Sequence, residues 1–167
     1  MQNCSFDPGQ LREKYRQERD KRLRDDGNDQ YQEVSGDFSY FVDDPYIDEA
    51  IERQALTDSY EIVIIGGGFG GVLAASRLKE AGFSDFKIIE KGGSFGGTWY
   101  WNRYPGASCD IESYIYFPLL EETKFVPGKK YTNAPETLEY FDVISEKFGL
   151  NEHAIFQTEV NDVRWKD

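Results

Sequence analysis

"EIVIIGGGFGGVLAASRLKEAGFSDFKIIE", residues 61–90, decides the fold. Its opening run, residues 61–65, turns continuously apolar and β-branched after Glu61, the pattern of a strand covered on both faces. Glycines follow at once. From Gly70 to Gly82 apolar and small residues recur at helical spacing through Val72, Ala75 and Leu78, with Gly82 as the stop. "FKIIE", residues 86–90, reads as a second strand. Strand, glycine turn, helix and strand within about thirty residues predict a βαβ unit with parallel strands and a right-handed crossover.

Gly66, Gly68 and Gly71 form G-x-G-x-x-G between that strand and that helix. Each position has a physical requirement: a sharp turn at Gly66, close approach of a pyrophosphate to bare backbone at Gly68, and tight helix–strand packing at Gly71. The helix N-terminus then offers free N–H groups and a favourable dipole to a diphosphate. Glu90 ends the next strand about twenty residues after Gly71, where an acidic residue grips ribose hydroxyls. A glycine turn without a ligand would leave Glu90 with no role. A carboxylate there repels a 2′-phosphate, so the cofactor expected is FAD or NAD.

The next stretch, "SFGGTWYWNRYPGASCD" (residues 94–110), bears on that choice. Gly96 and Gly97 fall where the chain must pass back over the middle of a bound dinucleotide, and two residues without side chains give it clearance. This favours FAD; the plainer alternative is a loop that uses glycine for flexibility.

The rest of the chain sets bounds. Its 167 residues carry 31 acidic and 19 basic side chains, a net charge of -12, which argues against nucleic acid as a partner. Two cysteines, Cys4 and Cys109, make no disulfide framework or metal motif. A reducing cytoplasmic setting is therefore the expectation. No apolar run reaches the length of a membrane span. Residues 11–24 are rich in basic side chains and read as a solvated helix, with Glu18–Arg22 and Asp20–Arg24 at ion-pair spacing. Residues 25–52 are acidic and aromatic, an arm expected to be pinned by Tyr31, Phe38, Tyr40, Phe41 and Tyr46. "DDPYIDEAIERQAL" then predicts a short helix, "SYIYF" a short strand, residues 134–149 a helix with Pro135 in its first turn, and "AIFQTEV" and "VRWKD" two strands. Cys109 is expected as a small packed residue, and His153 at the surface.

"GGGFGG", Glu90 and then "GGTWYWNRYPGASCD" together closely resemble the FAD-binding region of Baeyer-Villiger monooxygenases, from about Tyr60 onward. The charged segment before it is similar to the N-terminal extension of a fungal subset acting on bulky ketones. The resemblance implies FAD bound by Gly66, Gly68, Phe69 and Gly71 at the diphosphate and Glu90 at the adenosine ribose. Gly97, Thr98, Trp99, Tyr100 and Trp101 would run along the flavin, with Asp110 and Tyr116 near its ring and Val160 offering backbone to the adenine. Asp110 would also be catalytic, meeting an Arg donated by an NADPH domain; from the residues alone it reads equally as a turn or helix cap. Ser108 departs from the Arg common in the family at that position. No metal site is implied.

The expected fold is thus α/β: a Rossmann-like FAD-binding domain at residues 60–167, incomplete, behind a helical and extended N-terminal arm at residues 1–59. In a doubly wound sheet the first strand lies centrally, yet no later apolar run could flank its far side, so residues 61–65 are expected to keep an unpaired edge. The family's second glycine motif, its F-x-G-x-x-x-H-x-x-x-W fingerprint and its active-site Arg do not occur here. The NADPH site is accordingly expected mostly outside this chain. The implied activity is NADPH- and oxygen-dependent conversion of ketones to esters or lactones. The alternatives are a non-catalytic FAD-binding or interaction module, with a complementing C-terminal polypeptide as partner, and another class B flavin monooxygenase.

Overall fold

The structure is a computed structural model and describes residues 7–31 and 34–166. The chain divides into two compact units, Met1–Asp43 and Asp44–Asp167.

The first unit contains helix α1 (Pro8–Asp20) and two short 3-10 turns, Gly27–Gln30 and Gly36–Val42. Asp7 caps α1 by accepting from the Gly9 (2.8 Å) and Gln10 (3.4 Å) amides, which starts the helix earlier than the basic run. Its end at Asp20 removes the expected pairs. Glu18 meets Lys21 (2.6 Å), Asp20 meets Arg19 (2.6 Å) and Arg24 meets Asp26 (2.5 Å), because i, i+4 geometry stops with the helix. Phe38, Tyr40 and Phe41 stay exposed and face one another, with Tyr40 and Phe41 centroids 4.0 Å apart. Tyr46, the fifth ring expected as an anchor, belongs to the second unit, where it stands edge-on to Tyr100 at 5.6 Å.

In the second unit, strand β1 (Ile62–Ile65), helix α2 (Phe69–Glu80) and strand β2 (Phe86–Ile89) form the βαβ unit, parallel and in register from Ile62 opposite Phe86 to Ile65 opposite Ile89. Gly82 ends the helix region at φ +87°, a conformation open to glycine. The turns α3 (Thr98–Trp101), α4 (Ser113–Tyr116) and α5 (Leu120–Thr123) precede helix α6 (Ala134–Phe148) and a two-residue strand β3 (Ala154–Ile155). The sheet order is β1-β2-β3, all parallel, a Rossmann-like arrangement.

Helix α6 is capped by Asn133, which accepts from the Glu136 amide at 3.1 Å, and closed by Gly149 at φ +61°. It packs on α2 through Phe69 and Phe141, stacked 4.2 Å apart, and both helices cover the face of the sheet that carries Ile62, Ile64, Phe86 and Ile88. The other face is open at β1: Val63 is 48% and Ile65 59% exposed, so the expected burial on both faces holds for one.

Three further expectations differ. Residues 43–56 form no helix, because tertiary partners take their backbone groups: the Ile51 N–H donates to Gln157 Oε1 (2.7 Å) and the Glu49 carbonyl accepts from Gln157 Nε2 (3.3 Å). These bonds also place residues 44–59, expected with the extension, in the unit of the sheet. "SYIYF" is the helical turn α4, since the buried residues Ser113 and Phe117 stand four apart and not two. "AIFQTEV" gives only β3, for Gln157 at φ +51° turns the chain away, and residues 163–166 are irregular; Asp167 lies outside the described residues. Cys109 is buried and unpaired, while Cys4 lies outside the described residues. His153 is only half-buried but not free: its ring stacks on Phe86 at 4.1 Å and Nδ1 lies 3.1 Å from the Phe86 carbonyl. No helix among the described residues is long and apolar enough to cross a membrane.

Candidate functional site

The glycine turn sits where parallel βαβ geometry puts it, at the carboxyl end of β1. Gly66, at φ +97°, donates its N–H to the Ile89 carbonyl (2.8 Å). Gly71 tucks α2 against the turn so closely that a Cβ there would lie 1.9 Å from the Gly66 carbonyl oxygen. Gly68 is the N-cap of α2 and gives it no capping side chain, which leaves first-turn N–H groups open to an incoming acceptor.

Glu90 is 5% exposed and points back into this turn. Its Oε2 accepts from the Gly67 N–H (2.5 Å) and its Oε1 from the Gly92 N–H (2.6 Å). A carboxylate has about four lone-pair sites. Two amides therefore fix the side chain and leave each oxygen able to accept from a hydroxyl.

Gly96 and Gly97 lie on the glycine turn itself. The Gly96 N–H donates to the Gly67 carbonyl (3.1 Å), and a Cβ on Gly97 would stand 2.7 Å from the Gly68 Cα. The pair's clearance is thus used backbone against backbone, with Gly97 at φ +52°.

From there α3 sends its rings in different directions. Trp99 is buried, and its Nε1–H donates to the Tyr116 hydroxyl (3.1 Å). Thr98, Trp99, Asp110 and Tyr116 line one open groove together with Asn102, Ser108 and Cys109. Four of the sequence-predicted residues, from three separate places in the sequence, therefore share a surface. Trp101 is half-buried beside Tyr100. Tyr100 itself turns inward, 2% exposed, and Phe69 packs in the aromatic core between Phe141 and Tyr116. Val160 is half-buried two residues beyond Thr158, whose N–H donates to the Glu90 carbonyl (2.9 Å).

The groove has a polar foundation that sequence reasoning missed. Cys109 Sγ lies 3.4 Å from Thr132 Oγ1, which lies 3.0 Å from Ser113 Oγ and 3.3 Å from Thr137 Oγ1. The Cys109 N–H donates to the Thr132 carbonyl (2.8 Å), so this buried network anchors the loop that carries Ser108 and Asp110. Single hydroxyls scattered over residues 113–137 give no motif that could reveal it.

Over 99% of its length the chain is 44% identical to a Baeyer-Villiger monooxygenase of Stachybotrys chlorohalonatus, of which it covers 27%. The chain is homologous to Baeyer-Villiger monooxygenases. Among solved structures, the polycyclic ketone monooxygenase of Thermothelomyces thermophila superposes with a TM-score of 0.79 at 40% identity, covering 95% of this chain and 27% of that one. A complex of OTEMO with FAD and NADP matches with a TM-score of 0.61 at 31% identity, covering 67% and 22% of the two chains. A family profile described as an NAD(P)-binding Rossmann-like domain matches residues 64–126. The chain spans about a quarter of the length of the Baeyer-Villiger relatives it matches. With these homologues the likeness extends beyond the glycine motif to the aromatic turn and the groove beneath it, and the N-terminal segment is included.

Proposed function

We propose that this chain supplies the FAD-binding portion of an NADPH- and oxygen-dependent Baeyer-Villiger monooxygenase, acting in the cytoplasm on a ketone. Gly66, Gly68, Phe69 and Gly71 form the diphosphate site at the start of α2, Glu90 accepts from the adenosine ribose, and Val160 lies toward the adenine. Gly97, Thr98, Trp99, Tyr100, Trp101 and Tyr116 belong to the flavin side, and Asp110 is the catalytic carboxylate of the groove. Bound flavin would supply the electron-transfer and oxygen chemistry that these side chains lack. The protein's own part is to bind, orient and place charge: open amide N–H groups facing a diphosphate, a carboxylate facing hydroxyls, and an exposed Asp110 beside Trp99 and Tyr116.

One observation carries this reading. Glu90 is buried against the glycine turn, held by two amides, with acceptor capacity to spare at the place where an uncapped helix begins.

Titration of the purified chain with FAD, followed by quenching of flavin fluorescence, tests it. Binding that weakens about tenfold or more in Glu90→Ala is the expected result, as lost hydrogen bonds to a charged acceptor imply. A wild-type chain that takes up no FAD overturns the reading. The exposed Val63 and Ile65 favour a second reading, an FAD-binding module that joins a complementing polypeptide. NADPH oxidation by the chain alone would exclude that module.

A further inference from the structure

Residues 44–53 carry no motif, yet Asp44, Tyr46 and Ile47 touch the cofactor loop directly, and Glu49 and Ile51 reach its start through Gln157. We infer that this segment is a brace for the nucleotide site, with Asp44 and Tyr46 as positioning residues that hold the loop from Glu90 to Arg103 in the shape that closes over the glycine turn.

At one end, Asp44 Oδ2 accepts from the Tyr100 hydroxyl (2.6 Å) and from the Gly93 N–H (3.1 Å), and that N–H also lies 2.9 Å from the Tyr100 oxygen. The Tyr46 ring stands edge-on to Tyr100 at 5.6 Å. The Arg103 guanidinium lies 4.0 Å from the Tyr46 centroid and 4.5 Å from that of Tyr100, and its Nε–H donates to the Tyr100 carbonyl (2.9 Å). Ile47 presses on Gly93 so tightly that a Cβ there would meet its Cγ2 at 2.5 Å. At the other end, Gln157 joins the segment through Ile51 and Glu49 and donates its N–H to the Gly92 carbonyl (3.0 Å), while Arg53 binds the Phe156 carbonyl (3.2 Å) and the Thr158 hydroxyl.

Between these anchors lie Gly96 and Gly97 on the glycine turn and Trp99 in the groove. Tyr100 and Trp99 are neighbours in one helical turn, so fixing the buried Tyr100 fixes the direction of Trp99. A hydroxyl bonded to a carboxylate is among the stronger protein hydrogen bonds, and cation–π contact with Arg103 adds to it. The segment thus governs cofactor affinity without lining the site. This rests on the FAD reading above for the identity of the bound group.

The test follows amide hydrogen exchange of residues 92–103 in the cofactor-free chain together with FAD affinity and the visible circular dichroism of bound flavin. In Asp44→Ala, exchange should rise in residues 92–103 while α6 is unchanged, FAD should bind about tenfold more weakly, and the flavin signal at saturation should shift. Asp44→Asn, which keeps an acceptor oxygen, should fall between. Adding Tyr100→Phe to Asp44→Ala should cost less than the sum of the two single changes, because both remove the Asp44–Tyr100 bond, while the Gly93 N–H loses its second acceptor only in the double variant. Unchanged exchange in residues 92–103 overturns the brace, as does faster exchange with unaltered FAD affinity. Should Asp44→Ala fail to fold, Tyr100→Phe removes one oxygen atom and carries the same test. A wild-type chain that binds no FAD defeats the functional reading, whereas exchange in residues 92–103 still decides for or against the brace.

Discussion

A glycine is needed at position 97 for two separate reasons, and they can be told apart. Its φ of +52° disfavours any L side chain, and a Cβ would stand 2.7 Å from the Gly68 Cα, a backbone atom that cannot swing aside. Gly106 has a φ of +86° but open space around its Cβ position. Gly106→Ala should therefore cost only the left-handed backbone penalty, about 1–2 kcal/mol, and Gly97→Ala that plus an overpacking cost of roughly 1–3 kcal/mol. Urea unfolding of the two variants measures the difference, and equal midpoints would show that the loop does not press on the turn. Glu90 shows the other side of the residue scale. Its identity and spacing in the sequence lead to the ribose role proposed above, but its two amide donors were not legible, because Gly67 and Gly92 approach it through backbone that carries no sequence signal.

At the scale of elements, the short turn α3 is held by its own backbone hydrogen bonds and by Asp44, Gly93 and Arg103 around Tyr100. Burial, the Asp44 carboxylate as acceptor and its negative charge push the Tyr100 hydroxyl up to about 12, against the favourable Gly93 amide and Arg103. A tyrosine whose folded value lies above its ordinary value near 10 adds stability that is fully present below pH 10. That stability is lost as pH rises through about 12, since the unfolded chain ionises first. Wild type should thus lose stability between pH 10 and about 12 more steeply than Tyr100→Phe, which a series of urea midpoints over that range will show. Parallel slopes would mean that Tyr100 does not remain a neutral donor. The same scale explains which elements were readable. α2 and α6 carry glycine stops and helical apolar spacing within their own sequence, and α6 an Asn cap as well, whereas the segment after Asp44 has its helix-forming backbone groups claimed by Gln157.

For the whole molecule the open question is the uncovered side of the sheet. β1 is paired with β2 on one edge, through bonds such as Ile62 N–H to the Asp85 carbonyl (3.3 Å) and Gly66 N–H to the Ile89 carbonyl (2.8 Å). In a parallel ladder alternate amides point to opposite neighbours, so those of Val63 and Ile65 face away from β2. They should exchange at least roughly tenfold faster than the amide of Ile88, in the middle of the sheet, when followed by NMR in the isolated chain. Equal protection would show that something covers this edge in solution. Exposed Val63 and Ile65 also make this side the natural place for further protein to pack.

Patterns confined to neighbouring residues were settled by sequence alone. The βαβ unit, the glycine turn, the acidic end of β2 and the aromatic loop each announce themselves within a few dozen residues, because strand and helix periods and glycine's backbone freedom act locally. Only the tertiary structure decided that Asp44 grips Tyr100, that Gln157 interrupts both a strand and a would-be helix, and that Cys109 rests on a network of buried hydroxyls. The physical reason is common to all three: a polar group can take its partner from anywhere in the folded chain, and nothing in its own sequence neighbourhood says where that partner lies.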